Sequence, residues 1–238
     1  MQYQFIPITA GIQAAISEQH RFTTDSVLLA RFSAPRKSER AAEFCSGCGA
    51  ISLLWFGEGE TSPLHVTGFE LMKDAHELFE LSIQKNSLSD KVTSVCCDLN
   101  QYKAIPQLVP GAFDLVVCNP PYFESGFGSG ARQVARQETE LDIFAVCRAA
   151  AYALKYGGRL CVCFKPQRLP DLLEAMRQSK IEPKTIRLVL SKDGEAPHLV
   201  LVEGKRGANP QLNWKPALIL HNPDGSFTDE YRDIYRMR

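Results

Sequence analysis

A chain of 238 residues that is 45% hydrophobic and 23% charged has enough apolar material for one generous domain with a real core. Its 27 basic and 27 acidic side chains cancel, so no global positive field advertises nucleic acid, and an RNA partner would have to be held by local clusters. No apolar run approaches the roughly 18 residues of a membrane span, and the start Met1-Gln2-Tyr3-Gln4-Phe5 lacks the basic and apolar stretches of a signal peptide. No membrane partner and a cytoplasmic location are therefore expected.

In chain order, the first 40 residues are expected to hold a helix, with Thr24 or Asp25 as N-cap ahead of Val27-Leu28-Leu29-Ala30. Short apolar runs at 41–45, 64–70, 92–97, 113–118 and 159–164 then alternate with helical patterns at 50–57, 73–84, 141–156 and 169–179. Gly157-Gly158 closes the third of these helices, and Pro166 and Pro170 flank the start of the fourth. Nearly continuous apolar strands are what a parallel sheet buried on both faces requires. The alternation predicts an α/β, doubly wound sheet with right-handed crossovers. Runs 185–190 and 198–203, either side of Asp193-Gly194, read instead as an antiparallel hairpin. Beyond it lie a strand-like run at 217–221 and a turn at Asp224-Gly225.

Most of the eight cysteines, Cys45, Cys48, Cys96, Cys97, Cys118, Cys147, Cys161 and Cys163, fall in apolar stretches, which predicts buried free thiols and a reducing compartment. Cys45-x-x-Cys48 has zinc-ligand spacing, yet no second such pair or closely spaced His pair completes a site, so no metal is expected.

The first strand turns into the first helix through Glu43-Phe44-Cys45-Ser46-Gly47-Cys48-Gly49, at the sheet edge where open α/β folds bind ligands. Gly47 and Gly49 tolerate positive φ and let backbone approach a ligand. Glu70 ends the second strand about 20 residues later, where an acid can accept from ribose hydroxyls. Asp98 and Leu99 follow the third strand, and Asp98 could accept from an adenine amino group; either acid alone reads equally as a helix N-cap. The fourth strand delivers Asn119-Pro120-Pro121-Tyr122. The Asn119 side-chain oxygen and the Pro120 carbonyl can accept from both N–H groups of a planar amine, Pro120 and Pro121 stiffen the turn, and Tyr122 can stack on a purine face.

Together, Glu43 to Gly49, Glu70, Asp98 and Asn119 to Tyr122 resemble the motif set of class I, Rossmann-like S-adenosylmethionine methyltransferases with an Asn-Pro-Pro-Tyr active site, over about residues 20 to 205. Cys45 stands where the common pattern has glycine, and Glu43 where Asp is commoner. The resemblance implies a seven-stranded, mostly parallel sheet in the order 3-2-1-4-5-7-6 within one domain. Residues 1–40 would be a helical lead-in, 41–205 the core and 206–238 an extension. It also implies S-adenosyl-L-methionine as cofactor, S-adenosyl-L-homocysteine as product, and metal-free transfer.

The tetrapeptide serves adenine N6 in tRNA, ribosomal RNA or DNA, and equally a protein glutamine. The run His20-Arg21-Phe22-Thr23-Thr24-Asp25-Ser26-Val27-Leu28-Leu29-Ala30 is more specific, together with Arg132, Arg136 and their neighbours and the segment Pro197 to Gly207. These resemble bacterial tRNA-valine adenine-N6 methyltransferases, which implies a tRNA partner methylated at the adenosine 3′ of the anticodon. On that resemblance Thr24 and Asp25 line the methionine side of the cofactor pocket. Arg132, Arg136, Lys205 and Arg206 are candidates for RNA phosphates. The sequence does not set the oligomeric state, though a monomer is favoured.

Overall fold

The computed structural model describes residues 2–57, 59–120 and 142–235. Five parallel strands form the centre of the sheet: β3 (Arg40–Phe44), β4 (His65–Glu70), β5 (Val92–Cys96), β6 (Phe113–Cys118) and β7 (Leu154–Phe164). The hairpin strands β8 (Ile181–Leu190) and β9 (Leu199–Arg206) complete it, with β9 antiparallel to both β7 and β8. The order across the sheet is β5-β4-β3-β6-β7-β9-β8. Counted from the first parallel strand, this is the expected 3-2-1-4-5-7-6. Two short pieces, β10 (Asn213–Trp214) and β11 (Leu218–Ile219), add to the outer edge of β8.

Side chains alternate across the sheet, so each strand feeds two cores. Val116, Cys118, Leu160 and Val162 face α4 (Ile143–Ala153) and α5 (Leu169–Gln178). Leu115, Val117, Cys161 and Cys163 face the other way, towards α1 (Thr24–Ser33) and α3 (Lys73–Lys85). The buried Ala149, Ala150 and Ala153 of α4 carry little bulk, which lets that helix lie close on its face. The short α2 (Ala50–Leu54) leads out of the glycine loop.

Several elements differ from expectation. The first 40 residues hold a hairpin as well as a helix: β1 (Gln4–Thr9) pairs with β2 (Ile12–Ile16) around Gly11, whose φ is 78°. Asn86 at the end of α3 copies a strand partner, accepting from Gln13 N at 2.9 Å and donating to Gln13 O at 2.6 Å, while Ser82 Oγ accepts from Ala15 N at 2.8 Å. Thr23, rather than Thr24 or Asp25, is the N-cap of α1, and its side chain makes no capping hydrogen bond. The helix expected to reach residue 156 ends at Ala153, because Leu154 pairs with Phe113 and is fully buried as the start of β7. The final helix, α6 (Asp229–Tyr235), docks on α1: Arg31 Nε donates to Ile234 O at 3.0 Å and Tyr231 is buried. Among the described residues no helix is long and apolar enough to cross a membrane.

Candidate active site

The order β5-β4-β3-β6 brings the C-terminal ends of four neighbouring strands into one row, and with them Asp98, Glu70, the glycine loop and Asn119. Strands lie about 4.8 Å apart, so the row spans roughly 14 Å, the reach of an extended nucleoside carrying an amino-acid tail. The strand sequence reverses direction between β3 and β6, and such a switch point opens a crevice at this edge.

The loop's shape follows from three alternate left-handed positions. Cys45, Gly47 and Gly49 have φ of 54°, 56° and 77°. Cys45 bears the strain of a side chain there, on the order of 1 kcal/mol, which is why glycine is the ordinary occupant. The two glycines have different reasons to be glycine. A Cβ at Gly49 would sit 2.0 Å from the Phe79 ring, whereas one at Gly47 would meet nothing within 4 Å. Gly49 is thus set by packing, and Gly47 turns bare backbone to open space. Beside it the buried Ser46 hydroxyl has no partner among the described residues.

Glu70 is buried and fixes the loop, its Oε2 accepting from Gly47 N at 2.7 Å and its Oε1 from Met72 N at 2.8 Å. Each carboxylate oxygen has a second lone pair for a diol. Asp98 Oδ1 accepts from Asn100 N at 2.9 Å, capping the 3-10 segment Leu99–Ala104. Asp98 thus combines the capping reading with a position on the row, whereas α3 starts from Met72 and Glu70 is bound to the glycine loop and Met72 N instead of capping it. The Leu71 and Met72 side chains, which the sequence did not single out, stand exposed beside Glu70 and offer apolar surface to a flat ring. Open backbone at Gly47, an orphaned hydroxyl at Ser46 and two acids at this spacing fit S-adenosylmethionine.

Two expected cofactor residues do other work. Glu43 is only 2% exposed, with its Oε2 accepting from Ser52 N at 2.9 Å and from the Ser52 hydroxyl. It braces α2 onto β3, and burial raises its pKa to about 7 against the pull of those bonds. Leu99 directs its side chain into the core with Ile105 and Leu108. Cys45 and Cys48 carry reduced thiols, as do the other six cysteines, and burial raises the Cys48 pKa to about 12. Among the described residues, no group of three or more His, Cys, Asp or Glu is placed to hold a metal ion.

Asn119 is half-buried on the α1 face of the sheet, with Nδ2 donating to Ser26 Oγ at 3.1 Å and Oδ1 accepting from Cys163 Sγ at 3.0 Å. Pro120 follows, buried. Thr24 and Asp25, in the same first turn of α1 as Ser26, come to this edge, and Thr24 also bonds the Tyr235 phenol of α6. Pro121, Tyr122, Arg132 and Arg136 lie outside the described residues.

Lys205 and Arg206 do not join the site. Because β9 runs antiparallel, Lys205 pairs with Arg159 near the start of β7, while the Asn119 end of the sheet lies beyond Val162. The Arg206 guanidinium donates to Leu154 O at that far edge. The antiparallel direction that the sequence predicts for this strand is what carries its basic end away from Asn119. Lys165 and Arg168, which follow β7, are among the described cations that this topology puts at the Asn119 edge.

The sequence profile of the methyltransferase small domain family matches residues 16–180. A protein of Tolumonas auensis named tRNA1(Val) (adenine(37)-N6)-methyltransferase is 27% identical over 210 residues, covering 87% of this chain and 85% of its own length. One of the same name from Porphyromonas gingivalis is 27% identical over 229 residues, covering 89% and 85%. Among solved structures, a predicted O-methyltransferase of Agrobacterium tumefaciens superposes with a TM-score of 0.71 at 22% identity, over 90% of this chain and 96% of that one. TYW2 of M. jannaschii, in complex with AdoMet, gives 0.59 at 13% identity over 85% of each chain.

Proposed function

The chain belongs to the methyltransferase small domain family, and from that premise we propose that it methylates the exocyclic N6 of an adenosine in tRNA, the adenosine 3′ of the anticodon in a valine tRNA. The observation that carries this reading is Asn119-Pro120 at the end of β6, in line with Glu70 and Asp98. The names of the relatives from T. auensis and P. gingivalis support the substrate.

When bound, S-adenosylmethionine supplies an electrophilic methyl on a sulfonium. Glu70 and Asp98 hold its ribose and adenine, and the bare backbone at Gly47 admits close approach. The chemical difficulty lies on the nucleophile, since the N6 lone pair is delocalised into the ring. Asn119 Oδ1 and the Pro120 carbonyl accept one N–H each, drawing the nitrogen towards a tetrahedral shape with its lone pair released for attack. The same acceptors hold the positive charge that develops on that nitrogen and favour loss of its extra proton. An anticodon loop already presents unpaired bases, so turning one into the crevice costs less than in a duplex.

The test is mass spectrometry of nucleosides from tRNA incubated with the protein and isotopically labelled cofactor. Labelled N6-methyladenosine is the expected product; tRNA adenosine without label, or label only in another nucleoside, would overturn the reading. Asn119→Ala should abolish turnover and retain cofactor binding by calorimetry, and retained turnover would remove Asn119 from the chemistry.

A further inference from the structure

A terminal carboxamide is a loose device for aligning an amine. The χ2 torsion of asparagine has a broad well, and its two ends are nearly equal in size but opposite in hydrogen-bonding character. If the amide turns, an NH2 group meets the substrate's N–H groups, donor against donor. Asn119 therefore needs its plane held from outside.

We propose that Ser26 and Cys163 are positioning residues that clamp the Asn119 carboxamide from both ends and leave one Oδ1 lone pair for the substrate amine. The proposal rests on the reading of Asn119 as amine acceptor. The β6–β7 register pairs Val117 with Cys161 and Cys118 with Val162, so its next step sets Cys163 beside Asn119. Alternation puts Asn119 and Cys163 on the face that α1 covers, with Cys163 in the same core cluster as Leu28 and Leu29 of α1. Ser26, in the first turn of α1, closes the other side. Nδ2 donates to Ser26 Oγ at 3.1 Å, and Cys163 Sγ donates to Oδ1 at 3.0 Å. Ser26 is 8% exposed and Cys163 fully buried, so both bonds lie where water competes little. A carbonyl oxygen has two lone pairs; the thiol uses one, and the other remains for the substrate.

The test compares Ser26→Ala, Ser26→Thr, Cys163→Ala and Cys163→Ser in the full chain, reading kcat, KM for tRNA, cofactor affinity and melting temperature. One net hydrogen bond corresponds to a factor of about three to ten, so each Ala variant should lose that much in kcat with KM and cofactor affinity unchanged. Ser26→Thr, which keeps the acceptor, and Cys163→Ser, which keeps a donor, should recover kcat even where they lower the melting temperature. A purely structural role would make kcat follow melting temperature instead. Ala variants within twofold of the parent kcat, or Cys163→Ser as slow as Cys163→Ala, would overturn the clamp. If Asn119→Ala itself turns over normally, the proposed chemistry fails and the clamp with it; if Asn119→Ala is inactive while Ser26→Ala is not slowed, only the clamp fails.

Discussion

At the scale of single residues, neighbours of one motif do separable work. Gly49 lies against Phe79 with φ of 77°, so Gly49→Ala meets both left-handed strain and overpacking and should cost about 2–4 kcal/mol in denaturant unfolding. Gly47→Ala meets open space; it should cost only about 1 kcal/mol and instead weaken cofactor binding in a titration. Glu43 makes a pH-dependent case. Its folded pKa of about 7 exceeds the ordinary 4.5, so between these values the folded state binds more protons than the unfolded chain. Stability from this group is thus greatest below about 4.5 and falls as pH rises through about 7, by about 3 kcal/mol. Glu43→Gln removes the titration and should flatten the unfolding free energy across that window relative to the parent. An identical slope in both would contradict the assignment. Residue types at these positions were legible in the sequence, but partners were not. Glu43 reads as a ligand-facing acid until the structure shows Ser52 against it, and Ser26 reads as part of a helix start until Asn119, 93 positions later, reaches it.

Secondary-structure elements were legible where their signal is local. The central strands and crossover helices follow from apolar runs and helical periodicity within ten or so residues, and β6 has the bounds that the sequence predicts. The β1–β2 hairpin escaped because β2's backbone is completed by α3 side chains, Ser82 and Asn86, some 70 positions away. Asn86→Ala should leave Gln13 N and O without these partners and cost about 2 kcal/mol, with faster hydrogen exchange confined to residues of β1 and β2. Exchange rising uniformly over the chain would mean that Asn86 braces the whole fold rather than the hairpin. The start of β7 escaped for a different reason: 141–156 has continuous helical character, and only pairing of Leu154 with Phe113 turns its end into strand.

For the whole molecule, long-range ties make the C-terminal extension part of the fold around the crevice. Arg159 donates to Ser33 O, Glu39 and Glu203, joining the end of α1 to β7 and β9 at the sheet's lower edge. At the upper edge α6 packs Tyr231 into the α1-side core and brings Tyr235 to Thr24. Truncation after Thr228 exposes that core and removes the Ile234 carbonyl from Arg31, so it should lower stability by about 2 kcal/mol or more and raise the KM for cofactor through Thr24. An unchanged KM would separate α6 from the crevice.

The cysteines near the crevice have a chemical consequence. Cys45 contacts Cys118, the residue before Asn119, and Cys97 precedes Asp98, so on the proposed function sulfur stands close to an alkylating reagent. Only a thiolate attacks such a methyl efficiently. Burial lifts Cys97 to about 12 and Cys118 well above its ordinary value. The packing that seats Cys97 and Cys118 at the sheet edge also holds both thiols protonated there.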